Sequence, residues 1–323
     1  YLAEWLLEKG YKVYGVWVKG SVGNYTNIAG IINQIEVFEP ATQNGAQLAK
    51  LIRQIRPDEM YILNAPLRRS HALRLEQVEP HAAETLQVLE AIRKYAPQTK
   101  LFQSVSPEVY GNKTSWPIHE GSPFYPVTSF GMAELYAVWM VRNFRESYGI
   151  FAANGILFSH TSPRCKSQCL TQEIAAQMGA IASGEKTVLH LGNLDIVRDW
   201  GFAGDYVKAM WQMLQGEEAE DYVIATGKGH SVREFVETCA TRLGIELVWE
   251  GKGKEERGYD AVTGRMIVQV CPQRCRTVET DLIASPRKAK EKLGWQSQTS
   301  FDTWVDALLS SSLSIKEDYL QHA

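Results

Sequence analysis

Apolar residues recur along this chain in two alternating rhythms. Tyr1, Leu2, Trp5, Leu6 and Leu7 share one helical face that ends at Gly10, and Lys12 to Val18 then alternates as a strand. The exchange continues with a strand at 35–38, a helix at 44–56, a strand at 59–63 and a long amphipathic helix at 78–95. A strand from Lys100 into Val105, a helix at 130–148 and a continuous apolar strand at 150–158 complete the first half. This alternation predicts an α/β fold, a doubly wound parallel sheet over residues 1–158. Residues 159–323 read as mainly a smaller α/β domain with segments returning to the first. Within it Ser231 and Glu234 form a capping box for a helix to Arg242, residues 246–264 read as a polar loop, and the last helix spans Phe301 to Leu313.

A doubly wound domain ordinarily opens on a strand and a glycine-rich turn, whereas this sequence starts inside the helix that would follow. Two readings stay open: the loop lies upstream of Tyr1, or it is absent.

At 323 residues with 45% apolar composition the chain can bury one large or two ordinary cores. A net charge of -3 with mixed signs gives no reason to expect nucleic acid or an anionic membrane as partner. No run of eighteen apolar residues and no signal-peptide pattern occurs, so a cytoplasmic protein without a membrane span is expected.

The chemistry concentrates between Gln103 and Tyr136. The strand delivers a hydroxyl, Ser106, and a carboxylate, Glu108, to its C-terminal end, where open α/β sheets place ligands. The segments Q-S-V-S-P-E-V-Y-G, P-F-Y-P-V-T-S-F-G-M-A-E-L-Y and H-L-G-N-L-D-I-V-R-D-W-G resemble the extended short-chain dehydrogenase/reductase family, most closely its GDP-mannose 4,6-dehydratases, over essentially the whole chain. The resemblance implies a Rossmann-like fold with a nucleotide-sugar domain. It also implies a reaction that moves hydride from sugar C4 to NADP, eliminates water across C5 and C6, and returns the hydride at C6. The family's glutamate and hydroxyl residue, here Glu108 and Ser106, serve the last two steps. Its tyrosine acid/base and the lysine that lowers the tyrosine's pKa fall on Phe130 and Glu134.

A phenyl ring has no proton to exchange, and a carboxylate raises a neighbouring phenol's pKa. The expectation is therefore a catalytically inactive member with a structural or assembly role and no cofactor. Two alternatives stand beside it. One is an active NADP-dependent enzyme with its acid/base at Tyr125 or Tyr136; the other is a sensor that binds GDP-mannose or another nucleotide without reaction.

Further positions follow from the resemblance. Lys19 and Arg68 stand where a cofactor phosphate would be met, and solvated loop cations explain them as well. Glu39 to Gln43 has lost the family's adenine-binding aspartate. Ser159, Arg198 and Arg276 fall on substrate-binding positions, while Glu173 replaces a cation and would repel a diphosphate. Helices 78–95 and 130–148 would pair with their copies in a homo-dimer or tetramer, or join a larger assembly; burial inside one chain accounts for their apolar faces equally. Cys165, Cys169, Cys271 and Cys275 form two C-x-x-x-C pairs, read as free thiols, with zinc or a disulfide between the two loops as alternatives, and Cys239 reads as core.

Overall fold

Residues 1–16, 25–38, 45–63, 75–111, 117–165, 169–275 and 281–321 are described by the computed structural model. The chain divides into two units, one of residues 1–158, 206–224 and 285–296, the other of 159–205, 225–284 and 297–323.

In the first unit the elements run α1 (Leu2–Glu8), β1 (Tyr14–Val16), β2 (Glu36–Phe38), α2 (Gly45–Ile55), β3 (Glu59–Ile62), α3 (Leu75–Tyr95), β4 (Lys100–Val105), α4 (Ser129–Tyr148) and β5 (Ala152–Leu157). β3, β4, β5 and the later strand Tyr222–Ile224 pair side by side, all parallel, and β1 pairs in parallel with β2. β5 is buried along its whole length because both faces of the sheet are covered. On one face Val88, Leu89 and Ile92 of α3 meet Val141 and Phe144 of α4; on the other, Leu2 and Leu6 of α1 pack with Phe102, Met210, Met213 and Trp295. Gly155 permits that second layer, since a Cβ there would lie 2.4 Å from the Phe102 ring.

The edge strand is held by a buried charge. Asp221, 6% exposed, accepts from Arg142 Nε at 2.6 Å, Arg145 Nη1 at 2.9 Å and Asn154 Nδ2 at 3.0 Å. Glu120 accepts from the backbone N–H of Val223 at 2.8 Å, fixing the same edge.

In the second unit the strands Leu247–Glu250, Arg257–Asp260, Met266–Val270 and Leu189–Leu191 form one sheet in that order. Helix α5 (Leu170–Ala182) and the helices Val232–Arg242 and Phe301–Gln321 cover it through Ile174, Met178, Phe235, Trp304 and Leu308. Two sequence expectations need correction. Residues 246–264 are not a loop but contain two strands: Leu247 and Trp249 are half-buried while Val248 and Glu250 are exposed, a period of two hidden among charges. The last helix continues past Leu313 to Gln321, there being no Gly or Pro between them to stop it. Ser231 does cap its helix, its Oγ accepting from the Glu234 N–H at 3.0 Å, and Glu234 turns its carboxylate to His230.

The faces of α3 and α4 expected to meet a partner are in part internal core. Met132, Tyr136 and Trp139 nevertheless leave an exposed apolar stripe at i, i+4, i+7 on α4. Among the described residues no helix is long and apolar enough to cross a membrane.

Candidate functional site

β4 ends at Val105, and the chain turns at once through a single 3-10 turn, Pro107–Tyr110. Proline presets the backbone of that turn and Ser106 caps it, its Oγ accepting from the Glu108 N–H at 3.2 Å. The Glu108 carboxylate accepts from Thr128 Oγ1 at 2.7 Å, and the same hydroxyl oxygen accepts from the Gly131 N–H at 3.0 Å, capping α4. Gly131 lies so close to the turn that a Cβ would sit 2.8 Å from the Glu108 carbonyl oxygen. The strand end and the helix start are thus one mechanical piece. Gly111, with φ 59, closes it: a Cβ there would meet the Tyr125 carbonyl oxygen at 1.8 Å.

Phe130 is half-buried in the first turn of α4. One turn further, Glu134 is 2% exposed and its Oε2 accepts from the Ser106 N–H at 2.6 Å. The carboxylate is therefore part of the architecture of the strand end rather than a free charge beside it. Glu134→Ala would leave the half-buried Ser106 N–H without this acceptor, and a loss of about 1–3 kcal/mol is expected, with faster amide exchange at Ser106. Glu134→Gln, which keeps an acceptor oxygen, is expected to retain most of both; equal melting temperatures for wild type and Glu134→Ala would contradict this role.

The nearby tyrosines differ in what they can do. Burial, with Glu120 adding and Arg142 opposing, pushes the Tyr110 phenol further above its ordinary range, and its hydroxyl donates to the His119 carbonyl at 3.2 Å. Tyr110 is thus a poor proton carrier at neutral pH. Tyr125 is 46% exposed, its backbone N–H bound to the Val109 carbonyl at 2.9 Å, which sets it beside the Glu108 turn. Tyr136 lies on the exposed stripe of α4.

The fit of this site to a nicotinamide dinucleotide is poor at one point. Where an ammonium would hold ribose hydroxyls, the chain offers a buried carboxylate already bound to the backbone. Lys19, Arg68, Arg276 and the stretch Glu39 to Gln43 lie outside the described residues.

Ser106, Glu108, Phe130 and Glu134 gather in the first unit, whereas Ser159 and Arg198 belong to the second. There Ser159 is half-buried, its carbonyl accepting from the Gly201 N–H at 2.9 Å. Arg198 lies on the strand Val197–Asp199, which pairs antiparallel with Gly229–Ser231. The adjoining Asp199 is buried and accepts from Thr226 Oγ1, Thr226 N–H and Gly227 N–H at 2.6–2.8 Å; burial raises its pKa and those bonds oppose the rise. Glu173, expected from the sequence to repel a diphosphate, has a counter-ion. Arg274 donates to it at 2.5 Å and also to the His190 carbonyl at 3.0 Å.

The cysteines also differ from expectation. Cys165 and Cys169 join each other in a disulfide within one loop, not between loops, so they are not free thiols and their sulfurs are not thiolate ligands for zinc. Among the described residues no three metal-ligating side chains converge. Cys271 and Cys275 are free and half-buried, and Cys239 is core, burial pushing its thiol up to about 12.

Thr128 and Arg274 were not singled out from the sequence. The signal for Thr128 was a hydroxyl residue just ahead of a helical period; Arg274 carried none, because its partner lies 101 residues away.

The sequence model of a family described as GDP-mannose 4,6 dehydratase matches residues 1–308. The human protein of that name is 39% identical over 331 residues, covering 98% of this chain and 88% of its own length. A Vibrio cholerae GDP-mannose 4,6-dehydratase is 37% identical, covering 98% and 91%. Among solved structures, dTDP-glucose 4,6-dehydratase from Bacillus anthracis in complex with NAD superposes with a TM-score of 0.79 at 19% identity, covering 98% of this chain and 93% of that one. RMD from Pseudomonas aeruginosa complexed with NADPH gives 0.72 at 18%, covering 94% and 100%. None of these likenesses supports the expectation of an inactive chain without cofactor, which rests on this chain's own departures from the family pattern, those at Phe130 and Glu134 first.

Proposed function

Since the chain belongs to the GDP-mannose 4,6-dehydratase family, we propose that it handles a nucleotide-linked sugar, with NADP as the dinucleotide to test, and that the family's acid/base pair does not drive hydride transfer in it. The observation that carries this reading is the pair at the head of α4: a phenyl ring at Phe130 and a carboxylate at Glu134 bound to the Ser106 N–H at 2.6 Å. What this chain's own residues retain is a hydroxyl and a carboxylate at one strand end, Ser106 and Glu108, the latter oriented by Thr128. Such a pair can bind a sugar hydroxyl and move a proton but cannot replace the missing phenol. A binding, structural or assembly role follows, and the stripe of Met132, Tyr136 and Trp139 makes self-association part of the proposal.

A second reading, an active dehydratase, is favoured by the nearly full-length likeness to proteins named for that activity and by the preserved Glu108 turn. Tyr125, beside that turn, is then the first acid/base candidate. One experiment separates the two. The full natural chain is titrated with NADP and GDP-mannose by calorimetry and assayed for a 4-keto sugar. Binding of the sugar nucleotide without product is expected; sustained turnover would sink the first reading. A ligand that binds without reacting, at a hundred times its dissociation constant, adds about 2.7 kcal/mol to stability, which thermal shift detects.

A further inference from the structure

Helix α5 begins on an unusual residue. Its N-cap is Cys169, whose side chain makes no capping hydrogen bond, where serine, threonine, aspartate or asparagine would ordinarily satisfy a first-turn N–H. The sulfur is committed elsewhere, to Cys165 four residues back. The closed loop is anchored on both sides: the Cys165 N–H donates to the Ser162 carbonyl at 2.9 Å, and the buried hydroxyls of Thr161 and Thr171 lie 2.9 Å apart across its base. Both cysteines are half-buried rather than sealed in core. In sequence Cys165 stands between Arg164 and Lys166. The second C-x-x-x-C turn is coupled to the same helix, because Arg274, between Cys271 and Cys275, donates to Glu173 in the first turn of α5.

We propose that Cys165 and Cys169 form a reversible thiol–disulfide site that sets the order of the first turn of α5, with a dithiol protein or small dithiol as its reaction partner. One thiolate of the dithiol attacks a sulfur, breaking the Cys165–Cys169 bond and forming a mixed disulfide. The second thiolate displaces the remaining protein sulfur. The dithiol leaves as a disulfide, and the two protons it gives up balance those gained by Cys165 and Cys169. Reduction releases the covalent tie at the helix cap while leaving Arg274 on Glu173. The assignment stands apart from the proposed function, since it needs neither sugar nor dinucleotide.

The intact chain equilibrated with oxidised glutathione, then denatured and treated with N-ethylmaleimide, should carry three adducts, on Cys239, Cys271 and Cys275, and five after dithiothreitol. Deuterium exchange of residues 170–174 should rise roughly tenfold on reduction, as expected when a loop constraint is lost next to a helix end. Cys165→Ser should exchange at the reduced rate in either buffer, and Cys271→Ser should behave as wild type. Five adducts in the oxidised sample would overturn the site, as would a crosslink from Cys165 or Cys169 to Cys271 or Cys275. Identical exchange of 170–174 in both redox forms would overturn its effect on α5.

Discussion

The paired substitution Phe130→Tyr with Glu134→Lys, in the full natural chain, is expected to raise 4-keto sugar formation from GDP-mannose and NADP by roughly 10²–10⁴-fold, the usual contribution of a positioned acid/base. Either change alone should recover little. A tyrosine beside a carboxylate has its pKa raised rather than lowered, and a lysine without a phenol has no proton carrier to tune. The double variant should also melt a few degrees lower, because Glu134 Oε2 no longer accepts from the Ser106 N–H, an exchange costing about 1–3 kcal/mol. A wild type that already matches the double variant would place the acid/base elsewhere, and Tyr125→Phe would then be the deciding variant.

Asp221→Ala should destabilise the first unit by roughly 3–5 kcal/mol, since it leaves Arg142 and Arg145 without the anion they share. Burial alone would raise the Asp221 pKa, but hydrogen bonding and charge from Arg145, then Arg142, overcome it and hold the pKa below the ordinary carboxylate value. The folded state thus prefers the ionised form. Its contribution is complete above the unfolded pKa near 4 and fades as pH falls through the lower folded value. Melting curves taken from pH 6 down to 3 should therefore drop more steeply for wild type than for Asp221→Ala, and parallel curves would refute the linkage.

Much of the first unit was legible because each element depends on its own local pattern. β4 ended where its apolar run ended, at Val105, and α4 began one residue from the expected Phe130 because a hydroxyl cap precedes a helical period. The nature of the site was legible in part: the residues at 106, 108, 130 and 134 could be named, but their relations could not. That Glu134 is buried and bound to a backbone N–H depends on the distance between helix and strand, which no spacing encodes. The pairing of Glu173 was equally hidden, since its counter-ion Arg274 comes from a distant segment. The strands inside 246–264 were missed because they are short and half-exposed, so charged residues dilute the alternation.

The late strand Tyr222–Ile224 has a consequence for biosynthesis. β5 emerges from the ribosome with one flank unpaired, and the strand that covers it, together with the aspartate that pins it, is translated only after a long intervening stretch. During that interval the nascent chain carries a raw, apolar sheet border of the type that seeds aggregation. Truncation products stopping near Phe158 should consequently be found in inclusion bodies and bound to chaperones, whereas chains that reach Trp295 should not.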